Sequence, residues 1–467
     1  MARLRPSLEG LTERIVPAVS VKFLGGSLTI CANPANVANN LTVAQRALDG
    51  KFVITDGSAS VGPYQVTGNI TIISSNASDT IQVNLNRGAG GAFQLPGFLN
   101  INSRNGADTI TIRGDATNGG RIGGNVILST GFSNDSVTIT GNGALLSVGG
   151  MISANLDSGA DTFNLGVGTT ASGSVVTGKG VSLLRANTVN IGSAGDPVTI
   201  NGSLCLDNTL DYGTTNTTTL GLTTDITQFQ VAGILCYNGG TLVDDLSLFG
   251  TVQGLSNKNS AINLGQGTNS LNINADIGPA LNSDLVVTGG SGVDSITLGD
   301  DTVISNDAVF SLGAGDNLYD LNNTFAVNGS MSITAGNGID DLGIFAGQIG
   351  GDLTLTLGGG ANTLTFAGTS TGAAQSASCH DFNYFGGDGV DDITFDADDG
   401  AVENALNVYL MSGADVFDGT NSGDASYLTG YIDLGIDVDP DNVIYRSALA
   451  AVTQIVHIYP NDTVTAV

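Results

Sequence analysis

From Asp79 onward the chain falls into short runs in which apolar and polar side chains alternate, and the runs recur at a nearly constant distance. Each is preceded by Asp or Asn, and these markers are Asp79, Asp108, Asp135, Asp161, Asn187, Asn216, Asp244, Asn269, Asp294, Asn317, Asp340, Asn362, Asp391, Asp415 and Asp441. Successive gaps lie between 22 and 29 residues, with a mean of about 26. Two and four residues after each marker stand pairs such as Ile81/Val83, Ile110/Ile112, Phe163/Leu165, Ile296/Leu298 and Ile393/Phe395. Of the thirty positions so defined, only Thr218 and Gly419 are not apolar. A period of two describes a strand with one buried face. A second short strand precedes most markers, as in FLNIN, NVILS, DLVVT, DLTLTL and ALNVYL. A looser return follows, rich in Gly, Ser, Thr and Asn, with hardly any helical period.

Units of this length cannot bury an apolar face alone and must stack. The expected fold is all-β: a right-handed parallel β-helix, or β-solenoid, with about three faces per coil and roughly 15 coils of about 26 residues. Residues 1–20 read as a leader or capping helix, because Leu8, Leu11, Ile15 and Val16 fall at helical spacing. Residues 21–62 read as irregular capping strands, 63–450 as the β-helix, and 451–467 as the last coil. Caps are needed because a bare terminal coil exposes both apolar core and unpaired strand edge.

The corners carry the candidate chemistry. GGDGVDDIT at 386–394 and GGSGVDSIT at 289–297 both fit G-G-x-G-x-D-x-U-x. Glycine allows the positive φ of a sharp turn, and an Asx side chain locks the turn by accepting a nearby backbone N–H. Stacking places the markers in a ladder of ten Asp and five Asn. Like charges ~5 Å apart cost on the order of 1–3 kcal/mol per neighbour, which interspersed Asn partly relieves. Bound Ca2+ is the other way to relieve it. The corner therefore has two readings, a plain turn ladder and a ladder holding calcium at some turns. On the second reading the ligands are Asp294, Asp340, Asp341, Asp388, Asp391, Asp392 and Asp415. The nonapeptide resembles the calcium repeats of the repeats-in-toxin proteins. There the motifs run in tandem, whereas here each is followed by other chain before the next.

Composition narrows the partners. Glycine is 68 of 467 residues, about twice the usual share, while a hydrophobic fraction of 41% argues for a folded chain. Asp and Glu outnumber Lys and Arg 43 to 14, giving a net charge of −29. Such a surface attracts cations and repels nucleic acid and anionic lipid. No apolar run is long enough to span a membrane. The four cysteines (Cys31, Cys205, Cys236, Cys379) form no C-x-x-C and there are only two histidines, so a zinc site is not expected. Cys205 and Cys236 lie in corresponding strands and should stack as a thiol ladder or a disulfide, the ladder being favoured by parallel geometry.

The stretch LEGLTERIVPA resembles the LExLExRxxPA leader of exported planctomycete proteins, whose bodies are often Gly/Asp-rich β-helices. Thr12 stands where a second Leu is usual. The resemblance implies export to an extracellular, cell-surface or outer-envelope location, and no barrel domain or sorting tail is read after the last coil. Partners expected for an acidic rod are cations, glycans, other surface proteins or further copies of itself.

An enzyme on the same scaffold, a polysaccharide lyase or hydrolase, is the competing reading. Its candidates are weak. Arg104, Arg113 and Arg121 form the only basic cluster and suit salt bridging on an acidic surface. Paired carboxylates are inevitable among 43 acids. Cys379 and His380 are adjacent, so in a strand they point to opposite faces. No catalytic residue is assigned. The reading favoured is an exported structural or adhesive rod.

Overall fold

The computed structural model describes residues 19–32, 37–167, 173–193, 195–209, 215–221, 228–255, 257–279, 283–300, 302–321, 323–367, 377–396, 401–419, 429–435, 439–445, 453–456, 458 and 460–466. The leader and its helical spacing lie outside these residues, and Val19 and Ser20, read with the leader, already open the first strand, Val19–Leu24.

Three parallel ladders make the body, a β-solenoid of about 13 turns. Strands that follow the Asx markers stack from Asn40–Gln45 through Thr80–Asn84 and Thr109–Arg113 to Thr463–Ala466. Strands that precede the markers stack from Ser27–Ala32 through Ile70–Ile73 to Thr453–Val456. The return forms the third face, starting at the Leu95 to Ile122 bridge and ending where Ser378 pairs with Ala401. Fifteen corners were counted from sequence, but among the described residues the first and last coils have no third-face strand. Markers count corners; a full turn needs three faces.

Register carries each inward position onto its counterpart one coil on, as in Ile81, Ile110, Val137, Phe163 and Val189. Every described +2 and +4 position is buried, Thr218 and Gly419 included; the side chain of Tyr445 lies outside the description. Each fully buried Ile, Leu or Phe is worth about 1.5–3 kcal/mol, so stability is spread along the stack rather than gathered in one centre. Toward the C-terminal end the filling turns aromatic. Phe366 and Phe395 stack with centroids 5.3 Å apart, and Phe382 meets both edge-on.

Among the described strands, antiparallel pairs are confined to the beginning, and later antiparallel contacts are single bridges within loops. Val19–Leu24 folds back on Ser27–Ala32, and Asn40–Gln45, Phe52–Asp56 and Ala59–Tyr64 form a meander. Cys205 and Cys236 are register partners with Sγ atoms 2.8 Å apart, and both are free thiols. Burial, then the neighbouring Cys236, pushes the Cys205 thiol up to about 12.

Candidate functional site

The Asx column is a buried hydrogen-bonded wire rather than a surface row. All fifteen markers are buried, most at 2% exposure or less. The geometry repeats coil after coil: each marker donates to Oδ1 of the next, through its backbone N–H at every Asp rung and at Asn317. Asp79 donates to Asp108 at 2.8 Å, Asp108 to Asp135 at 2.7 Å, and Asp135 to Asp161 at 2.7 Å. Further along, Asp391 donates to Asp415 at 2.8 Å and Asp415 to Asp441 at 2.9 Å. Where the rung is Asn, the side-chain amide donates as well, and at Asn269 it stands in for the backbone N–H, which goes to the Val293 carbonyl. Nδ2 of Asn269, Asn317 and Asn362 reaches Oδ1 of Asp294, Asp340 and Asp391 at 2.7–2.8 Å.

Two rungs escaped the periodic search. Asn39 donates its backbone N–H and its amide to Asp79 Oδ1, and Asp462 accepts the Asp441 N–H at 3.2 Å. The strand-and-hairpin insertion between Asn39 and Asp79 stretches that gap to 40 residues. The +2/+4 rule would have found both, through Leu41/Val43 and Val464/Ala466.

The second carboxylate oxygen sets the electrostatics. At Asp79 it accepts from Ser74 Oγ, Ser75 Oγ and Ser75 N–H. At Asp108, Asp135, Asp161, Asp294, Asp340 and Asp391, Oδ2 is buried with no partner in hydrogen-bond geometry. Burial of charge therefore dominates: it raises Asp108 and Asp161 to about 7, and Asp135, Asp294, Asp340 and Asp391 to about 6. Repulsion between neighbouring rungs, the main cost expected from sequence, is the smaller cause. Tyr side chains on the inner wall face the same column. Tyr237 Oη donates to Asp244 Oδ1 at 2.7 Å, and burial, then the Asp391 charge, raises Tyr384 far above the usual phenol range.

The glycine two residues before the marker has a steric reason besides φ. A Cβ on Gly292 would lie 1.5 Å from the carbonyl oxygen of Gly267, and one on Gly389 would lie 1.9 Å from that of Gly360. Coils touch backbone to backbone at this corner. Five residues before the marker, a Cβ on Gly289 or Gly386 would meet Oδ2 of Asp294 or Asp391 at 2.1 and 2.2 Å. The nonapeptide thus encodes a corner folded tightly around its own carboxylate.

The seven acids read as calcium ligands divide in two. Asp294, Asp340, Asp391 and Asp415 are rungs of the buried wire, whereas Asp341, Asp388 and Asp392 are exposed beside it. Asp341 and Asp392 occupy one outer column with Thr363 between them, two coils and so about 10 Å apart. Asp388 Oδ1 accepts the Ser412 hydroxyl at 2.7 Å. The structure does not gather the seven around one point.

Among the described residues, the one group of three or more His, Cys, Asp or Glu side chains whose ligand atoms converge is Asp352, His380 and Asp381, all within 4.8 Å of one another. Cys379 beside it is buried and points inward, as alternation required, and burial pushes its thiol up to about 12. Arg104, Arg113 and Arg121 lie on three different parts of the coil. Arg104 is at a corner, Arg113 ends a post-marker strand and donates to Asn84 at 2.6 Å, and Arg121 is on the third face. Outward-facing aromatics form a short column, with Phe385 and Tyr409 stacked at 5.0 Å and Tyr409 and Tyr431 at 5.5 Å. No described helix is long and apolar enough to cross a membrane. Compared with known proteins, the chain matches no family model, no curated protein and no solved structure.

Proposed function

We propose that the protein is an exported structural or adhesive component of a cell surface, an acidic rod whose corners and flanks present a repeating polar surface to cations, glycans or neighbouring copies. The observation that supports this reading is the Asx wire from Asn39 to Asp462, in which each rung donates a backbone or side-chain N–H to the next, so that coil after coil repeats one connection. A scaffold gains from such uniformity, whereas a catalyst needs one place unlike the rest. The net charge of −29 fits a surface that recruits divalent cations, and calcium is the ion proposed for the acidic corner, at the exposed Asp341, Asp388 and Asp392 and the buried carboxylates behind them.

One observation favours the second reading, a carbohydrate-active enzyme. The Phe385, Tyr409 and Tyr431 column lies on the same outer flank as Asp381 and Asp433. Phe385 and Tyr409 cover each other's faces at an interplanar angle of 3°, which leaves ring edges for a sugar. That geometry suits a stiffening stack better than a sugar subsite.

Small-angle scattering and calorimetric melting test the proposal together. Thirteen turns at ~4.8 Å give a rod about 60 Å long, and a compact profile would reject the rod. Millimolar calcium should raise the melting midpoint of the full chain, magnesium should do so less, and Asp391→Ala should abolish the rise. Identical melting with both ions would reject the calcium part and leave the rod.

A further inference from the structure

The geometry points to a divalent transition-metal site of one imidazole and two carboxylates, His380, Asp352 and Asp381, on the outer flank of the solenoid.

Three observations converge on it. The first is local backbone. The strand Ser378–Phe385 runs from the third face onto the pre-marker face, and at the corner between them His380 and Asp381 both leave the core while Cys379 and Phe382 stay inside. That corner is one residue shorter than in the coils on either side, where 350–352 and 403–405 stand outside, and the register shift beside it records the difference. The second is stacking. Leu353 pairs with Phe382, which brings Asp352 of the preceding coil beside Asp381. The third is distance. His380 Nδ1 lies 3.3 Å from Asp352 Oδ1 and 3.5 Å from Asp381 Oδ1. Bonds of 2.0–2.1 Å to a tetrahedral ion place neighbouring donor atoms about 3.3–3.4 Å apart, so both spacings match edges of that coordination shell. They are long for a charge-assisted hydrogen bond.

Support behind the ligands is already in place. Asp381 Oδ1 accepts from Asn404 Nδ2 at 2.7 Å and from the Ala405 N–H at 3.0 Å, both on the next coil. The Asp352 N–H donates to Ser330 Oγ at 3.2 Å, and the His380 N–H donates to the Gly351 carbonyl at 2.9 Å. Contacts of this kind orient metal ligands. The site therefore ties two adjacent coils, with a third holding it from behind. An imidazole donor favours zinc, nickel or cobalt over calcium and magnesium, which take oxygen. Half-exposed ligands leave the remaining position open to water or to a carboxylate or imidazole of a neighbouring molecule. Sequence gave no hint of this: Asp352 lies 28 residues before His380, and the expectation against zinc rested on cysteine and histidine spacing.

Titrating the full chain with Co2+ and Zn2+ in the presence of excess calcium and magnesium tests it. One ion per chain should bind with a tetrahedral Co2+ visible spectrum. His380→Ala, Asp352→Asn and Asp381→Asn should each weaken it at least 10-fold, while His457→Ala changes nothing. Melting in chelator confirms that the variants fold, because His380 is exposed and its removal should leave the midpoint unchanged. An unaltered Co2+ spectrum and affinity in His380→Ala, or displacement of zinc by equimolar calcium, would overturn the assignment.

Discussion

Replacing Asp161 by Asn should stabilise the protein at pH 8 and do so much less at pH 4.5. Asp161 is fully buried, its Oδ1 accepts the Asp135 N–H at 2.7 Å, and its Oδ2 has no partner in hydrogen-bond geometry. Burial, opposed by that N–H and reinforced by the Asp135 and Asp157 charges, raises the carboxyl from the ordinary 3.8 to about 7. Because this folded value lies above the unfolded one, the native chain holds the proton more tightly. Ionisation therefore costs stability as the pH rises from about 4 to about 7. The difference amounts to about 4 kcal/mol at pH 8 as an upper bound, and relaxation around the charge reduces the recoverable part to roughly 1–3 kcal/mol. Asn keeps the Oδ1 acceptor and substitutes a donor for the orphaned oxygen. The new amide can reach Asn187 Oδ1, as the Asn187 amide reaches Asn216 Oδ1 at 3.2 Å. Differential scanning calorimetry at both pH values should show a rise of roughly 2–8 °C at pH 8, taking a cooperative unit of ordinary domain size, and about a quarter of that rise at pH 4.5. An equal shift at both pH values, or a fall at pH 8, would refute the buried-charge account.

Further predictions come from the same corner. Wild-type melting should fall steadily between pH 5 and pH 8, because Asp108, Asp135, Asp294, Asp340 and Asp391 share the upward displacement; a midpoint that rises across this window would contradict it. Gly292→Ala should cost about 2–4 kcal/mol and open 289–294 to limited proteolysis, since its Cβ would enter the Gly267 carbonyl; wild-type resistance would show that the coils can part without loss. Tyr237→Phe removes the 2.7 Å bond to Asp244 and should lower stability by about 1.5–3 kcal/mol by denaturant titration.

The solenoid was legible because it obeys one rule repeatedly. A strand buried on one side must alternate, and a stacked strand must alternate at the same place in every coil, so Ile81, Ile110 and Val137 announce the fold before any contact is known. The corner was half legible. G-G-x-G-x-D identified the turn residues, and φ tolerance was the reason given. What the pattern could not convey is that Gly292 clears the preceding coil's carbonyl, or that the Asp beside it is sealed from water. Both depend on a neighbour about two dozen residues away. The His380 cluster was illegible for a related reason. Alternation predicts which side chains share a side only within one face of the coil, and Asp381 joins His380 outside because the chain turns from the third face to the pre-marker face there.

That contrast separates two kinds of residue in a repeat protein. Rungs such as Asp294 and Asp340 are set by the coil, so their chemistry is the scaffold's: each carboxylate closes its own corner and accepts from the preceding rung through Oδ1, Asp294 from the Asn269 amide and Asp340 from both the amide and the N–H of Asn317. Swapping Asp for Asn keeps that function, which is why the column tolerates both. Asp352, His380 and Asp381 depend on which residues stand at one corner of two adjacent coils, and no other coil reproduces them among the described residues. A uniform stack offers the same weak attraction to cations along its whole length. A single strong site requires the uniformity to be broken, and the corner at His380 and Asp381, one residue shorter than its neighbours and the one place where an imidazole meets two carboxylates among the described residues, breaks it. That corner is therefore where this chain departs from pure scaffold.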